Sequence, residues 1–365
     1  MSGRGLRVVL AGGGTGGHVI PALAVAGEIV RRGGEARFVG TRGRLEERLV
    51  PAAGFGIDFI EVRPLSGVGL TGAALGAAFV PVALARSAAL LHRIRPDAVL
   101  GVGGYVAGPV VLAASLTGIP AAVLEQNAAV GLTNRLLRRF VRRAFVSYEE
   151  TVAEFPRGRA ELTGNPVGRP ILDAAAARSG DEVRERVSIV VMGGSQGARA
   201  IDERVPAAMA EAGLGKGVSV LHQAGVGREE EVRAAYAAAG IEARVVTFID
   251  DTAGAYRGAD LVVARAGATT VAELTVMGLP AVLLPYPHHA DRQQHRNAEP
   301  MRRAGAAVVL DELETGVAEL AAAISELAKD GVRRAAAAAA ALALGHPDAA
   351  TRIVDGLERL AGGRA

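Results

Sequence analysis

Two segments of the chain repeat one local plan. Val8-Val9-Leu10-Ala11-Gly12-Gly13-Gly14 and Val190-Val191-Met192-Gly193-Gly194-Ser195 each run an unbroken apolar stretch into a glycine turn, and a helical pattern follows each. An apolar run without polar alternation must be covered on both faces, as a strand is in a parallel sheet flanked by helices. Similar runs predict strands at Arg7–Ala11, Ala36–Gly40, Ala98–Gly101, Ala121–Leu124 and Arg143–Ser147. A second series is predicted at Ser188–Met192, Val218–Gln223, Arg244–Phe248, Asp260–Ala264 and Ala281–Pro285. Strands alternating with helical stretches place the chain in the α/β class. Gly164–Gly180, rich in proline, glycine and alanine, separates the two series. The expected division is into residues 1–165 and 166–365, two related Rossmann-like domains in tandem with a deep cleft between them. Ala335–Leu344 and Asp348–Leu360 read as helices, and the docking partner of the last is open, the first domain being one candidate.

A length of 365 residues exceeds one typical core, and half the residues are apolar, enough for two. The absence of cysteine excludes disulfides, thiolate metal sites and cysteine nucleophiles. The start of the chain shows a glycine loop rather than a secretory pattern, so a cytoplasmic protein is expected. Net charge is uneven: residues 1–165 hold 19 Arg against 12 acids, giving +7, and the remainder comes to −4. A basic first half suits an anionic surface or a phosphorylated ligand. No nucleic-acid partner is expected. Pro64–Ala85 is a stretch of 22 uncharged residues between Arg63 and Arg86. It is long enough to span a bilayer, but Pro64, Pro81, Gly67, Gly69, Gly72 and Gly76 oppose a stable spanning helix. Shallow insertion among anionic headgroups and an ordinary core helix are the two readings left.

The loop Gly12-Gly13-Gly14-Thr15-Gly16-Gly17-His18 lets backbone amides approach a phosphate at a helix N-terminus. A nicotinamide site would also need an acid at the end of the second strand, where Thr41-Arg42-Gly43-Arg44 stands instead. A P-loop is excluded, because neither Lys216 nor Lys329 precedes Ser or Thr. Gly101-Val102-Gly103-Gly104-Tyr105 and Gly193-Gly194-Ser195-Gln196-Gly197 are further glycine turns. Three such turns suit two phosphorylated ligands. Thr270 and Glu273 match a helix capping box, and Glu273 could equally accept both hydroxyls of a ribose. Asp291-Arg292-Gln293-Gln294 beside His288 and His289 could read sugar hydroxyls or, with His295, imitate a metal site. The sequence has no D-x-D motif, and no bound metal is expected.

Seven stretches occur together and in order: Gly13–His18, Gly103–Val106, Glu125-Gln126-Asn127, Gly164-Asn165-Pro166-Val167, Gly193–Ala198, Phe248-Ile249-Asp250 and Asp291–Gln294. With them the chain resembles, over nearly its whole length, the MurG family of UDP-N-acetylglucosamine:lipid I N-acetylglucosaminyltransferases. The resemblance implies a glycosyltransferase-B architecture, with the acceptor in the N-terminal domain and the donor mainly in the C-terminal one. It implies an inverting enzyme that moves N-acetylglucosamine from UDP-N-acetylglucosamine to the 4-hydroxyl of the muramyl sugar of lipid I, without metal or other cofactor. The implied partners are that donor, the lipid-linked muramyl-pentapeptide acceptor and an anionic membrane surface, with peripheral attachment at the cytoplasmic face. Rival readings are another UDP-sugar transferase of glycolipid synthesis, a UDP-N-acetylglucosamine epimerase and a nucleotide-sugar sensor.

Carried over by position, the resemblance implies donor contacts from Thr15, Gly16, Gly17, Asn127, Ser195, Ile249, Ala268, Thr269, Thr270, Val271, Ala272, Glu273 and Gln294. Ile249 would lie near the uracil, Glu273 would take the ribose and Gln294 would read the sugar. Gly13, Gly14, Gly103, Gly104 and Tyr105 would face the acceptor pyrophosphate. The family places an arginine directly after Asn-Pro-Val. Here Gly168 stands there and Arg169 follows, so that donor contact moves by one residue or is lost. His18 is the candidate base, with a hold on the acceptor pyrophosphate as its alternative role.

Overall fold

The computed structural model describes residues 5–62, 69–178, 185–194, 197–288 and 291–362, with the backbone alone for 69–78. Two compact units form, the first from residues up to Gly168 together with those from Pro347 onward, the second from Arg169 to His346.

The first unit alternates strand and helix: β1 (Arg7–Gly12), α1 (Gly16–Arg31), β2 (Glu35–Gly40), α2 (Leu45–Ala52), β3 (Gly56–Phe59) and α3 (Gly69–Ile94). It continues with β4 (Ala98–Gly103), α4 (Ala107–Leu116), β5 (Ala121–Glu125), α5 (Leu132–Leu137), β6 (Arg143–Val146), α6 (Glu149–Val152) and β7 (Ala160–Leu162). Among the described residues these strands make a parallel sheet in the order β3-β2-β1-β4-β5-β6-β7. The period of two sends Val9, Ala11, Val99 and Val123 to one face, and Val8, Leu10, Leu100 and Leu124 to the other. Both faces are covered, so β4 and β5 are buried at every residue, as their unbroken apolar sequences require.

The second unit holds α7 (Arg169–Ala176), β8 (Val187–Met192), α8 (Arg199–Glu211), β9 (Val218–Gln223), α9 (Glu229–Ala238), β10 (Glu242–Val246) and α10 (Thr252–Gly258). Then come β11 (Leu261–Ala264), α11 (Ala268–Met277), β12 (Ala281–Leu283), α12 (Gln293–Arg303), β13 (Ala307–Val309), α13 (Val317–Lys329) and α14 (Gly331–Ala343). Its parallel sheet runs β10-β9-β8-β11-β12-β13.

The final helix, α15 (Ala349–Gly362), returns to the first unit. Its apolar stripe, Ile353, Val354 and Leu357, is buried with Val19, Val25, Ile29 and Phe145. Its polar edge is tied by Arg32 to Asp355 at 2.6 Å and by Arg352 to the Leu162 carbonyl at 2.6 Å. Three strands that the sequence reading left out, β3, β7 and β13, all lie at sheet edges. An edge strand needs no unbroken apolar run, and Asp58 and Glu161 interrupt two of these.

Candidate active site

The order of the first sheet reverses between β1 and β4, and open α/β sheets take ligands outside the carboxyl ends of their strands at such a point. The loops leaving these two strands pack against each other. The Gly13 amide faces the Gly103 carbonyl at 3.4 Å. A Cβ on Gly104 would stand 2.6 Å from the Gly13 oxygen, and one on Gly103 would stand 2.6 Å from the His18 ring. Glycine at both positions therefore lets the second loop lie on the first and lets the imidazole rest on its backbone.

His18 is the third residue of α1 and half-buried. Its Nδ1 lies 3.1 Å from the Gly13 carbonyl oxygen and 3.4 Å from Thr15 Oγ1. A carbonyl can only accept, so this contact puts the proton on Nδ1 and leaves the lone pair on Nε2. Burial lowers the imidazole pKa below its ordinary value, against the Gly13 carbonyl and the Glu125 and Glu46 carboxylates, which raise it.

Glu46, from the first turn of α2, is 1 % exposed and accepts from the Gly14 amide at 2.7 Å and the Thr41 amide at 3.0 Å. The amides of Gly13 and Gly14 are thus engaged within the protein, by the Gly103 carbonyl and the Glu46 carboxylate. The amides of Gly16 and Gly17, at the start of α1, have no protein acceptor among the described residues. Glu125 is also buried, and accepts from Asn127 N at 3.1 Å, Gly131 N at 2.9 Å and Asn134 Nδ2 at 2.9 Å. Gln126 donates to the Val102 carbonyl at 2.8 Å. These two residues shape the loop after β5, while Asn127 is half-buried and Tyr105 exposed.

In the second unit the order reverses between β8 and β11. β8 leads into Gly193-Gly194, whose second carbonyl accepts from Gln223 Nε2 at 3.2 Å. Ser195 lies outside the described residues. β11 leads through Arg265–Gly267 into α11, with Gly267 as the N-cap. Thr270 is therefore the third helical residue and Glu273 the sixth, so the capping-box reading fails, since that box joins the N-cap to the third residue. Ala268, Thr269 and Thr270 open the helix with amides that have no protein acceptor among the described residues. The buried Thr269 hydroxyl has no partner among the described residues. Val271 and Ala272 continue the same turn.

Glu273 is 9 % exposed, and burial pushes its pKa up to about 7, partly opposed by the neighbouring Tyr256 hydroxyl. Gln294, in the first turn of α12, accepts on its amide oxygen from Ala266 N at 3.2 Å and Tyr286 N at 2.9 Å. It fastens the loops after β11 and β12, and its NH2 has no protein acceptor among the described residues. Ile249 is buried in the loop after β10, beside exposed Phe248. Arg169 opens α7 on the surface, paired with Asp173 at 2.7 Å. His295 turns to Asp311 at 3.2 Å, and Arg292 joins the same carboxylate at 2.7 Å. Among the described residues no three His, Asp or Glu side chains cluster as metal ligands would; His289 is not among those residues.

Among the described residues two buried acids escaped the sequence reading: Glu46, and Asp202 in a cluster in which His222 joins Tyr236 at 3.0 Å and Asp202 at 3.3 Å. Each carried a signal, an acid on the apolar stripe of its helix. Glu46 precedes Leu49 and Val50 by three and four residues, and Asp202 precedes Val205 and Pro206 likewise.

Residues 8–146 match the glycosyltransferase family 28 N-terminal domain and residues 188–353 its C-terminal domain. A protein of Anaeromyxobacter sp. strain Fw109-5 is 46 % identical over 96 % of this chain and 92 % of its own length. It is named UDP-N-acetylglucosamine–N-acetylmuramyl-(pentapeptide) pyrophosphoryl-undecaprenol N-acetylglucosamine transferase. The crystal structure of Acinetobacter baumannii MurG superposes with a TM-score of 0.81 at 31 % identity, covering 97 % of this chain and 99 % of that one. A UDP-GlcNAc 2-epimerase from Neisseria meningitidis shares the fold at a TM-score of 0.68 and 14 % identity, covering 96 % of this chain and 100 % of that one. By both domain matches and by relatives of full length, the chain has the glycosyltransferase-B architecture and belongs to glycosyltransferase family 28, within its MurG branch.

Proposed function

We propose that this protein transfers N-acetylglucosamine from UDP-N-acetylglucosamine to the 4-hydroxyl of the N-acetylmuramyl sugar of pentapeptide pyrophosphoryl-undecaprenol. The observation that carries this reading is the 46 % identity, along nearly the whole of both chains, to a relative bearing that name. In the first unit, His18 is the base. The acceptor hydroxyl gives its proton to Nε2 while its oxygen bonds the anomeric carbon, and the bond from that carbon to the phosphate oxygen breaks with inversion. UDP leaves with the electron pair. In the second unit, the amides of Ala268, Thr269 and Thr270 and the positive end of α11 stabilise the departing diphosphate. Glu273 accepts the ribose hydroxyls, the NH2 of Gln294 reads the sugar, and Ile249 packs on the uracil. Thr15, Gly16, Gly17 and Asn127 complete the donor contacts. Gly103, Gly104 and Tyr105 face the acceptor pyrophosphate.

The test is incubation with labelled UDP-N-acetylglucosamine and a soluble lipid I analogue in excess chelator. A β-1,4-linked disaccharide product, identified by mass and linkage, is the expected result. Free N-acetylmannosamine or no transfer to the analogue would overturn the assignment.

A polyprenyl-linked acceptor keeps its pyrophosphate at a membrane surface, and no helix among the described residues is long and apolar enough to cross a membrane. The first unit rests on that surface through exposed apolar side chains on packed helices: Val82 of α3, Leu116 of α4, Leu132 and Leu136 of α5, and Phe140 just beyond. Arg86, Arg135, Arg139 and Arg142 are exposed beside them in sequence, a combination suited to shallow insertion among anionic headgroups. The sequence reading centred this contact on Pro64–Ala85, of which residues 64–68 and the side chains of 69–78 lie outside the described part of the chain. Wild type should sediment with anionic vesicles at low salt and be released at raised salt. The folded double variant Leu136→Glu with Phe140→Glu should stay in the supernatant, and equal binding by that variant would remove this face from the contact.

A further inference from the structure

We infer that Glu46 is a positioning residue for His18, a resident anion that fixes the first glycine loop and sets the tautomer of the imidazole. Backbone amides at the turn between a strand and a helix form a niche that ordinarily takes an external anion. Here the protein fills that niche itself. One carboxylate oxygen of Glu46 takes the Gly14 amide at 2.7 Å, and the other takes the Thr41 amide at 3.0 Å. The side chain lies so close to the backbone that a Cβ on Gly13 would come within 2.2 Å of its carboxyl carbon, and one on Gly40 within 2.6 Å of its Cγ. Glycine at both positions is what admits it.

The peptide thus clamped is the one whose Gly13 carbonyl receives Nδ1–H of His18 at 3.1 Å. The chain of contacts runs from the carboxylate through that one peptide unit to the ring. It leaves Nε2 as the ring nitrogen that can accept a proton. The charged groups acting on the ring are Glu46 from α2 and Glu125 from the end of β5, and both raise its pKa against the effect of burial. Glu46 therefore has two levers on the base, its orientation and its basicity. A residue that merely stabilised α2 would move neither.

The catalytic consequence rests on the reading of His18 as base, so the test separates the two. In the full chain, the His18 imidazole signal is assigned by its loss in His18→Ala, then titrated by NMR in wild type and Glu46→Gln. A glutamine offers one acceptor where two amides need one each, and it carries no charge. The expected result is a His18 midpoint moved to lower pH, a weakened Nδ1–H tautomer, and kcat lower by about 10–10²-fold with donor KM little changed. The acidic limb of the kcat/KM profile should move down with the NMR midpoint. An unchanged midpoint and tautomer in folded Glu46→Gln would overturn the inference, whatever the activity. Wild-type turnover in His18→Ala would instead overturn the base reading and leave the NMR result standing. If Glu46→Gln fails to fold, Glu46→Asp keeps the charge one carbon short of the loop. Wild-type kcat and an unchanged tautomer in that variant would equally overturn it.

Discussion

Replacing His18 by alanine is expected to lower turnover by about 10²–10⁴-fold, the usual contribution of a positioned base, with donor affinity nearly unchanged. Two structural features and the proposed donor site set this expectation. The ring is held through Nδ1 by the Gly13 carbonyl, so its basic nitrogen is Nε2. Burial lowers its pKa, which favours the unprotonated ring that can accept a proton. The proposed donor contacts lie mostly in the second unit, which this change does not touch. The sign of the pH dependence follows. A protonated ring cannot act as base, so kcat/KM should fall as the pH drops through a midpoint below the ordinary histidine value, and His18→Ala should lose that limb. The alternative role, holding the acceptor pyrophosphate, predicts a raised acceptor KM at preserved kcat. Steady-state kinetics with both substrates varied decides between them, and retention of most of the turnover would take His18 out of the chemistry.

The sequence made the central strands easy to read and the edges hard. β1, β4 and β5 are covered on both faces, and that burial forces a short unbroken apolar run, a pattern few other local structures produce. β3, at the sheet margin, is Gly56-Ile57-Asp58-Phe59, and its aspartate pairs with Arg37 at 2.6 Å. Nothing local marks such a segment as a strand; its partner β2 does. The glycine turns were legible for the same reason as the strands, since close backbone approach tolerates few residues. What filled them was not. Glu46 reaches Gly14 from 32 residues further along the chain, and spacing carries no information about a contact made by folding. Its one trace was a charge on a helix face that should have been apolar. The helix start at Gly267 shows the opposite failure, a local pattern that fits a motif and is placed elsewhere by the turn before it.

That placement decides what Glu273 does. Three residues beyond the reach of a capping box, it contributes no cap, and Glu273→Ala should weaken UDP-N-acetylglucosamine binding by about 1–3 kcal/mol, the usual loss for hydrogen bonds to a charged group. The pH dependence gives a second, independent reading. Burial pushes the Glu273 pKa up to about 7, so below that pH the folded chain without donor holds mostly the neutral acid. Its raised value means that keeping this group in the fold becomes less favourable as pH rises from the ordinary carboxylate range to about 7, and changes no further above that. Ribose hydroxyls donating to the carboxylate would relieve that penalty, so donor binding should draw a proton off the protein. The diphosphate of a nucleotide sugar is esterified at both ends and does not titrate there, which leaves the effect to the protein. Affinity should therefore fall by about tenfold between pH 8 and pH 6, as binding to one ionised form of a single acid requires. Glu273→Gln should bind weakly and equally at both. Calorimetric titration at pH 6, 7 and 8, in buffers of differing ionisation heat, measures affinity and proton release together. If wild-type affinity is flat across that range with no proton released, the carboxylate does not hold the ribose, and the buried acid serves the packing of α11 against α10 instead.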